Sequence, residues 1–308
     1  MTTGNRRTEV VMGTFVTIEV VAPGSSPSSA HARDEVERAF AWFHAVEACC
    51  SRYDPASELS QLSRQVGSAV RVSPLLFNAI EFGCAVAAES GGAFDPTVGL
   101  AMETRGFNRE HRTGAVVNSS IGPDERVSFA DVILDRVERT VTLVKPLVLD
   151  LGAVAKGMAI DLGARELAPF KHFAIDAGGD LYLAGYNADG LPWSVGIRDP
   201  RRDGLLGSMR VSDRAVCTSG DYERRSPVTG EHHVIDPRTN KTATGVASVT
   251  VLAERAMLAD AIGTAAFVLG TIEGLALFAR VGVEGLIVMS DGSTHATPAF
   301  TDALLSHA

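Results

Sequence analysis

Three stretches of this sequence carry residue types whose spacing can do chemistry. Residues 149–161 read LDLGAVAKGMAID, with one acid, Asp150, a tight Gly152-Ala153 passage, and then Lys156-Gly157 before a helical pattern. A strand, a small-residue turn and a helix start present backbone groups to a bound anion. The same residues also suit a buried corner where Gly and Ala avoid crowding. Asp260 and Thr264 stand four apart in RAMLADAIGTAAFVL, with Gly263 between them. That spacing puts both on one helix face. A carboxylate and a hydroxyl oxygen are suitable ligands for a hard cation such as magnesium. Helix packing through Ala and Gly, with Thr264 bonded back to the backbone, is the plainer alternative. His232-His233 precedes Ile235-Asp236-Pro237. The spacing fits no zinc pattern and no cysteine joins it, but a histidine next to a strand end is a candidate base.

These residues need elements to hold them. Leu147-Val148-Leu149 reads as a buried strand that delivers Asp150. The helix after Lys156 buries Met158, Leu162 and Leu167 and ends before Pro169. Phe173-Ala174-Ile175 and Leu181-Tyr182-Leu183 are short strands around Asp176-Ala177-Gly178-Gly179-Asp180. Two glycines between strands predict a hairpin turn; close approach of backbone to a ligand is the other reading. Upstream, Val10–Val21 alternates as a strand, with Met12-Gly13-Thr14 opening its main run. After a Pro/Gly/Ser loop from Pro23 to Ser29, Val36, Phe40, Phe43 and Val46 recur at helical spacing. That helix ends near Ser51–Pro55, where Tyr53 reads as a surface ring or as a wall for a flat ligand. A short polar helix starts at Ser57. Ser73-Pro74 is an N-cap and first-turn proline, and Gly91-Gly92 is a left-handed stop. Ala93-Phe94-Asp95 follows, its acid a turn former or a ligand contact. Residues 105–130, including Asn118–Pro123, are expected to be surface structure with little chemistry. Ser248–Leu252 and Leu286–Val288 are strands, and helices are expected over 255–269 and 272–281. The fold class is α+β: mixed, largely antiparallel strands with helices packed on them.

The chain has 308 residues, 45% hydrophobic, with a formal net charge of -9. So acidic a chain, with no Lys/Arg-rich run, excludes an electrostatic nucleic-acid footprint. Cys49, Cys50, Cys84 and Cys217 form no CxxC, a usage compatible with the cytosol. No apolar segment of signal-peptide length follows the early arginines, and no apolar run approaches membrane-spanning length. A soluble cytoplasmic protein is the expectation.

Taken together, MGTFV, SRYDPASELSQL, GGAFDPTVG, LDLGAVAKGMAID, DAGGDLYLAG, TSGDYER, HHVIDPRT and LADAIGTAAFVLG resemble, in this order, the FAD:protein FMN transferases of the ApbE type. The resemblance spans roughly Met12 to Gly270. It implies cleavage of FAD between its phosphates, transfer of FMN to a Thr or Ser hydroxyl of an acceptor protein, and release of AMP. It implies FAD contacts at Asp150, Lys156, Met12, Tyr53, Ala93, Phe94, Asp95 and Ile235. It implies Mg²⁺ held by Asp260, Thr264 and the backbone of Gly263 and Ala153, and His233 as general base. Magnesium would offset the pyrophosphate charge that an acidic protein repels. The acceptor would carry a Thr/Ser flavinylation motif. A Mg-dependent FAD pyrophosphatase giving FMN and AMP, or a non-catalytic flavin-binding protein, would use the same sequence features. The resemblance also implies one ApbE-like domain, 1–308, with two lobes of about 1–145 and 146–308 around a cleft. Asn240 stands where the family often has glycine.

Overall fold

A computed structural model describes residues 5–21, 29–110, 113–119, 121 and 126–305. Most of the Pro/Gly/Ser loop after Val21, along with Ser120 and Gly122-Pro123, lies outside the described residues.

The frame is an eight-stranded antiparallel meander whose spatial order follows the chain. Its strands are β1 (Asn5–Val11), β2 (Thr14–Val20), β3 (Phe173–Ala177) and β4 (Asp180–Ala184), then β5 (Arg214–Gly220), β6 (Val246–Ala253), β7 (Glu284–Met289) and β8 (Thr294–Ala296). Period-2 patterning sets the register. In β2, Val16, Ile18 and Val20 are buried while Phe15 is exposed. Farther in, β6 is buried at nearly every position, so its apolar run is continuous rather than alternating. One face of the sheet carries the main core. The other packs Leu183, Val216, Leu286 and Val288 against Val195, Ile197, Met209 and Phe300 of a small covering layer.

Beside three smaller sheets, the described residues form seven α-helices: α1 (Ser29–Cys50), α2 (Glu58–Leu62), α3 (Pro74–Glu89), α4 (Gly99–Thr104), α5 (Gly152–Leu167), α6 (Ala256–Val281) and α7 (Pro298–Ala303). The Ser73 hydroxyl caps α3, with Pro74 in its first turn, and Gly91 and Gly92 beyond its end have φ of 59° and 80°. The main core draws on both sides of residue 145, from Phe43 of α1 to Ile160 of α5 and Phe267 of α6.

Helix α5 lies between α1 and α6, and two glycines permit it. A Cβ on Gly163 would sit 3.3 Å from the Phe43 ring. A Cβ on Gly157 would sit 2.5 Å from the backbone Cα and N of Met257. Asp161 then closes the junction: its carboxylate accepts from the Ala256 N–H at 2.7 Å and the Met257 N–H at 3.1 Å. It thus supplies a cap that Arg255, at the N-cap position of α6, does not. Burial outweighs these amides and pushes the Asp161 carboxyl up to about 6. Gly157→Ala is therefore expected to destabilise the protein by about 1–3 kcal/mol, since backbone cannot yield as a flexible side-chain end can. A urea titration of both proteins measures it.

Three expectations are corrected. Leu147-Val148-Leu149 is buried and extended but joins no sheet. Val148 bridges only to Val98, and its carbonyl accepts the Gly99 N–H at 3.1 Å. The partner segment ends there, since the chain turns into α4 at Gly99, which lies against Val148 with no room for a Cβ, and pairing does not extend into a ladder. Helix α5 begins at Gly152, ahead of Lys156, which therefore sits in its second turn. Finally, α6 is long and apolar enough to cross a membrane by length and composition, with mean hydropathy 1.7 in its most apolar window. Half of that window is buried inside the fold. The expected helix break is present at Gly270 (φ 75°, ψ -165°), which splits α6 into a site-bearing segment and a second segment.

Candidate active site

The first turns of α5 separate two clusters of polar side chains. On one side, Asp150 is held by three bonds. Its backbone N–H donates to the Pro96 carbonyl at 2.7 Å, its Oδ1 accepts from Gly152 N–H at 2.8 Å, and its Oδ2 pairs with Arg52 Nε at 2.6 Å. Burial disfavours this carboxylate, but the Arg52 charge and the Gly152 amide outweigh it and hold the carboxyl below the usual range. The Arg52 guanidinium lies 4.2 Å from the centre of the Tyr53 ring. Its Nη2 donates to Tyr53 Oη at 2.8 Å and to the Phe107 carbonyl. Its Nη1 is buried without a partner. Tyr53 is therefore not a free surface ring: burial raises its phenol, which stays protonated and donates to Phe107 O at 3.3 Å.

His233 borders this cluster, its ring edge-on to Phe107 with 6.4 Å between centres. Its backbone N–H donates to Arg224 O at 3.2 Å, while its Nδ1 is buried and unpartnered. Burial, with Arg224 and His232 adding to it, pushes the ring down to about 4. His233 is thus a neutral imidazole at pH 7, the form that accepts a proton. The two histidines have separated roles. His232 spends Nε2 on the Ala243 carbonyl at 2.9 Å and packs edge-on against Phe267.

On the other side of the turn, Lys156 Nζ pairs with Asp180 Oδ2 and lies 3.5 Å from Asp260 Oδ2. Asp180 starts β4, and its Oδ1 accepts from the Thr218 N–H of β5 at 3.1 Å. Apart from the ammonium, neither Oδ2 has a hydrogen-bond partner, and both atoms are buried. One turn beyond Asp260, Thr264 Oγ1 bonds back to the Asp260 carbonyl at 3.2 Å and lies 3.4 Å from Ser219 Oγ. The Thr264 back-bond expected of plain helix packing is present, yet it leaves the buried Asp260 Oδ2 with no hydrogen bond and only a share of the Lys156 ammonium, a costly arrangement for a buried carboxylate. Among the described residues no three His, Cys, Asp or Glu side chains gather as a metal-binding group. The oxygens placed beside the Asp260 carboxylate are instead the Thr264 and Ser219 hydroxyls and the Asp260 carbonyl, donors of the hard type that Mg²⁺ takes. Gly263 faces Ser219 and Val251 at ordinary contact, so its packing alone does not demand glycine.

The remaining expected contacts sit as follows. Met12 forms the β1–β2 turn with φ 54°, and its N–H donates to Glu47 at 2.9 Å. Ala93 and Phe94 are buried. Asp95 spends Oδ1 on the Thr97 N–H and hydroxyl and Oδ2 on the Phe129 N–H, which is the turn-former arrangement. Ile235 is buried and pairs with Thr242. Ala153 lies on α5 between Asp150 and Lys156. Asn240 adopts the left-handed φ of 54° that its replacement of glycine requires.

Sequence reasoning missed Arg52, Phe107, Asp180 and Ser219. Asp180 was legible only as the edge of a glycine turn, and Phe107 lies in a stretch expected to hold little chemistry. Arg52→Met would leave Asp150 a largely buried, unpaired charge, as the two side chains are only 5% and 16% exposed. A loss of about 3 kcal/mol is expected, read as a lower denaturation midpoint.

A neutral imidazole beside the Asp150–Arg52 cluster and an ammonium between two buried acids are thus the perturbed polar groups that the fold assembles. The ApbE family model matches residues 12–287. A FAD:protein FMN transferase of Treponema pallidum is 32% identical over 96% of this chain and 87% of its own length. Another, from Rhodobacter capsulatus, is 33% identical over 94% of this chain, which spans 56% of that relative's length. Among solved structures, the ApbE protein of Thermotoga maritima superposes with a TM-score of 0.85 at 30% identity, covering 98% of this chain and 99% of that one. The flavin transferase ApbE of Vibrio cholerae gives 0.84 at 25% identity, covering 99% and 100%. This chain belongs to the ApbE family.

Proposed function

We propose that this protein transfers FMN from FAD to a Thr or Ser hydroxyl of an acceptor protein, with Mg²⁺ bound and AMP leaving. Family membership supports the reaction class. The observation that carries the reading is that two polar groups are buried with an atom left unpartnered: His233, a neutral imidazole with a free Nδ1, and Asp260, with a free Oδ2. His233 takes the proton of the attacking hydroxyl, a role worth about 10²–10⁴-fold. Asp150, fixed by Arg52 and Gly152, and Tyr53 orient the dinucleotide, with Met12, the Ala93–Asp95 segment and Ile235 as further contacts. Asp260, Thr264 and the backbone at Ala153 and Gly263 would hold Mg²⁺, which supplies charge neutralisation on the phosphates when bound. Lys156 adds a cation to the same region. Four free cysteines support a reducing, cytoplasmic setting.

The test is incubation with FAD, Mg²⁺ and a candidate acceptor bearing a Thr/Ser flavinylation motif. Mass spectrometry is expected to find covalent FMN on the acceptor and one AMP per transfer. AMP released at the same rate without acceptor would instead make the protein an FAD pyrophosphatase. FAD returned intact would make it a flavin-binding protein.

A further inference from the structure

Two buried acids share one ammonium beside the donor set of the proposed cation site. Asp180 and Asp260 are 3% and 7% exposed. Each turns its Oδ2 toward Lys156 Nζ, and neither Oδ2 has another partner. Asp180 is fixed from behind by the Thr218 amide, and Asp260 by its place on α6. The Lys156 side chain is 24% exposed, the least confined of the three. One positive charge facing two negative ones leaves the cluster one positive charge short of neutral, and such an excess negative charge in a buried place demands compensation. A cation held by Asp260 would lie close to an ammonium that already faces that same carboxylate at 3.5 Å.

We propose that Lys156 and the divalent cation compete for Asp260, and that Asp180 is the positioning residue that retains the ammonium when the cation enters. The geometry supports the exchange: the ammonium already favours Asp180, so a small displacement frees Asp260 Oδ2 while the lysine remains paired. Asp180 thereby sets metal affinity without ligating the metal. This rests on the proposed metal-dependent reading, and its test uses neither FAD nor acceptor.

The experiment is Mn²⁺ binding followed by electron paramagnetic resonance, with Mg²⁺ as competitor, on the wild type and four variants. Lys156→Met removes the competing charge and is expected to tighten Mn²⁺ binding about tenfold, ~1.4 kcal/mol. Asp180→Asn leaves the ammonium no partner but Asp260 and is expected to weaken binding by about the same factor. In the double variant the ammonium is gone, so Asp180→Asn should lose its large weakening effect. Asp260→Ala reports whether the bound ion is at this site. Circular dichroism confirms folding, and Asp180→Ser replaces Asp180→Asn should the latter unfold. Mn²⁺ binding that Asp260→Ala abolishes, but that Lys156→Met leaves unchanged or weakens, overturns the exchange and leaves the metal reading standing. An equal effect of Asp180→Asn with and without Lys156 also overturns it. Binding that Asp260→Ala does not touch overturns the exchange and the metal reading together.

Discussion

Asp260→Ala is expected to lower kcat/KM for magnesium-dependent flavin transfer by about 10³-fold, roughly 4 kcal/mol of transition-state stabilisation. The reasoning starts from burial. Asp260 sits inside α6, 7% exposed, with an Oδ2 that has no hydrogen-bond partner. A carboxylate in that position costs stability unless a positive charge meets it. Lys156, at 3.5 Å, already leans toward Asp180. Removing Asp260 takes away the one charged oxygen in the donor set and leaves Thr264, Ser219 and backbone oxygens, too few to hold a dication in water. The stability cost should be small, because an unsatisfied buried oxygen disappears with the side chain. Rate and melting temperature should therefore separate: a folded protein with little transfer. Transfer at the wild-type rate, measured over a magnesium titration, would remove Asp260 from the metal site.

His233→Ala carries the second large effect, a loss of about 10²–10⁴-fold in kcat with FAD affinity retained. Its imidazole is neutral because burial, Arg224 and His232 all disfavour the charged form and push it down to about 4. The sign follows. The ordinary histidine value is about 6.5, so in solution a free imidazole would lose its basic form below that pH. In the fold the basic form persists down to about 4, and the acid limb of kcat/KM should fall there. Stability runs the same way. The unfolded chain takes up the proton first, so the contribution of neutral His233 is intact above about 6.5 and is lost as pH falls toward 4. His232→Ala is the contrasting case. It should cost stability, by orphaning the Ala243 carbonyl it bonds, more than it costs turnover. Equal turnover losses in the two variants would demote His233 to a structural residue.

The sequence made much of this legible. Alternation in Val10–Val21 predicted β2, the Ser73-Pro74 pair predicted the start of α3, and the paired glycines after Ala177 predicted the β3–β4 hairpin. Each of these is local chemistry: side-chain period, a capping hydroxyl, a permissive φ. The helix break before Ile272 was legible for the same reason, since Gly270 carries it. Where the sequence misled, the deciding partner was distant. Leu147–Leu149 has the composition of a sheet strand, but it lies along the loop after Asp95, where Gly99 lets backbone meet backbone. In the same way α6 has the hydropathy of a membrane span, and half of that apolar window is buried against the fold, where α6 packs on the sheet and on α5.

The site divides in the same manner. Spacing alone put Asp260 and Thr264 on one helix face and marked the Asp150–Lys156 stretch, because helix geometry repeats every few residues wherever the helix lies. Only the folded chain could bring Arg52 to Asp150, Asp180 to Lys156 and Phe107 to His233, contacts that join segments roughly 24 to 126 residues apart. Only it could tell His233 from His232, since the two are adjacent in sequence and differ in what closes over them. Side-chain type is written in the chain; burial and the sign of the surrounding charge are properties of packing, and these decide which acid waits for a cation and which imidazole stays neutral.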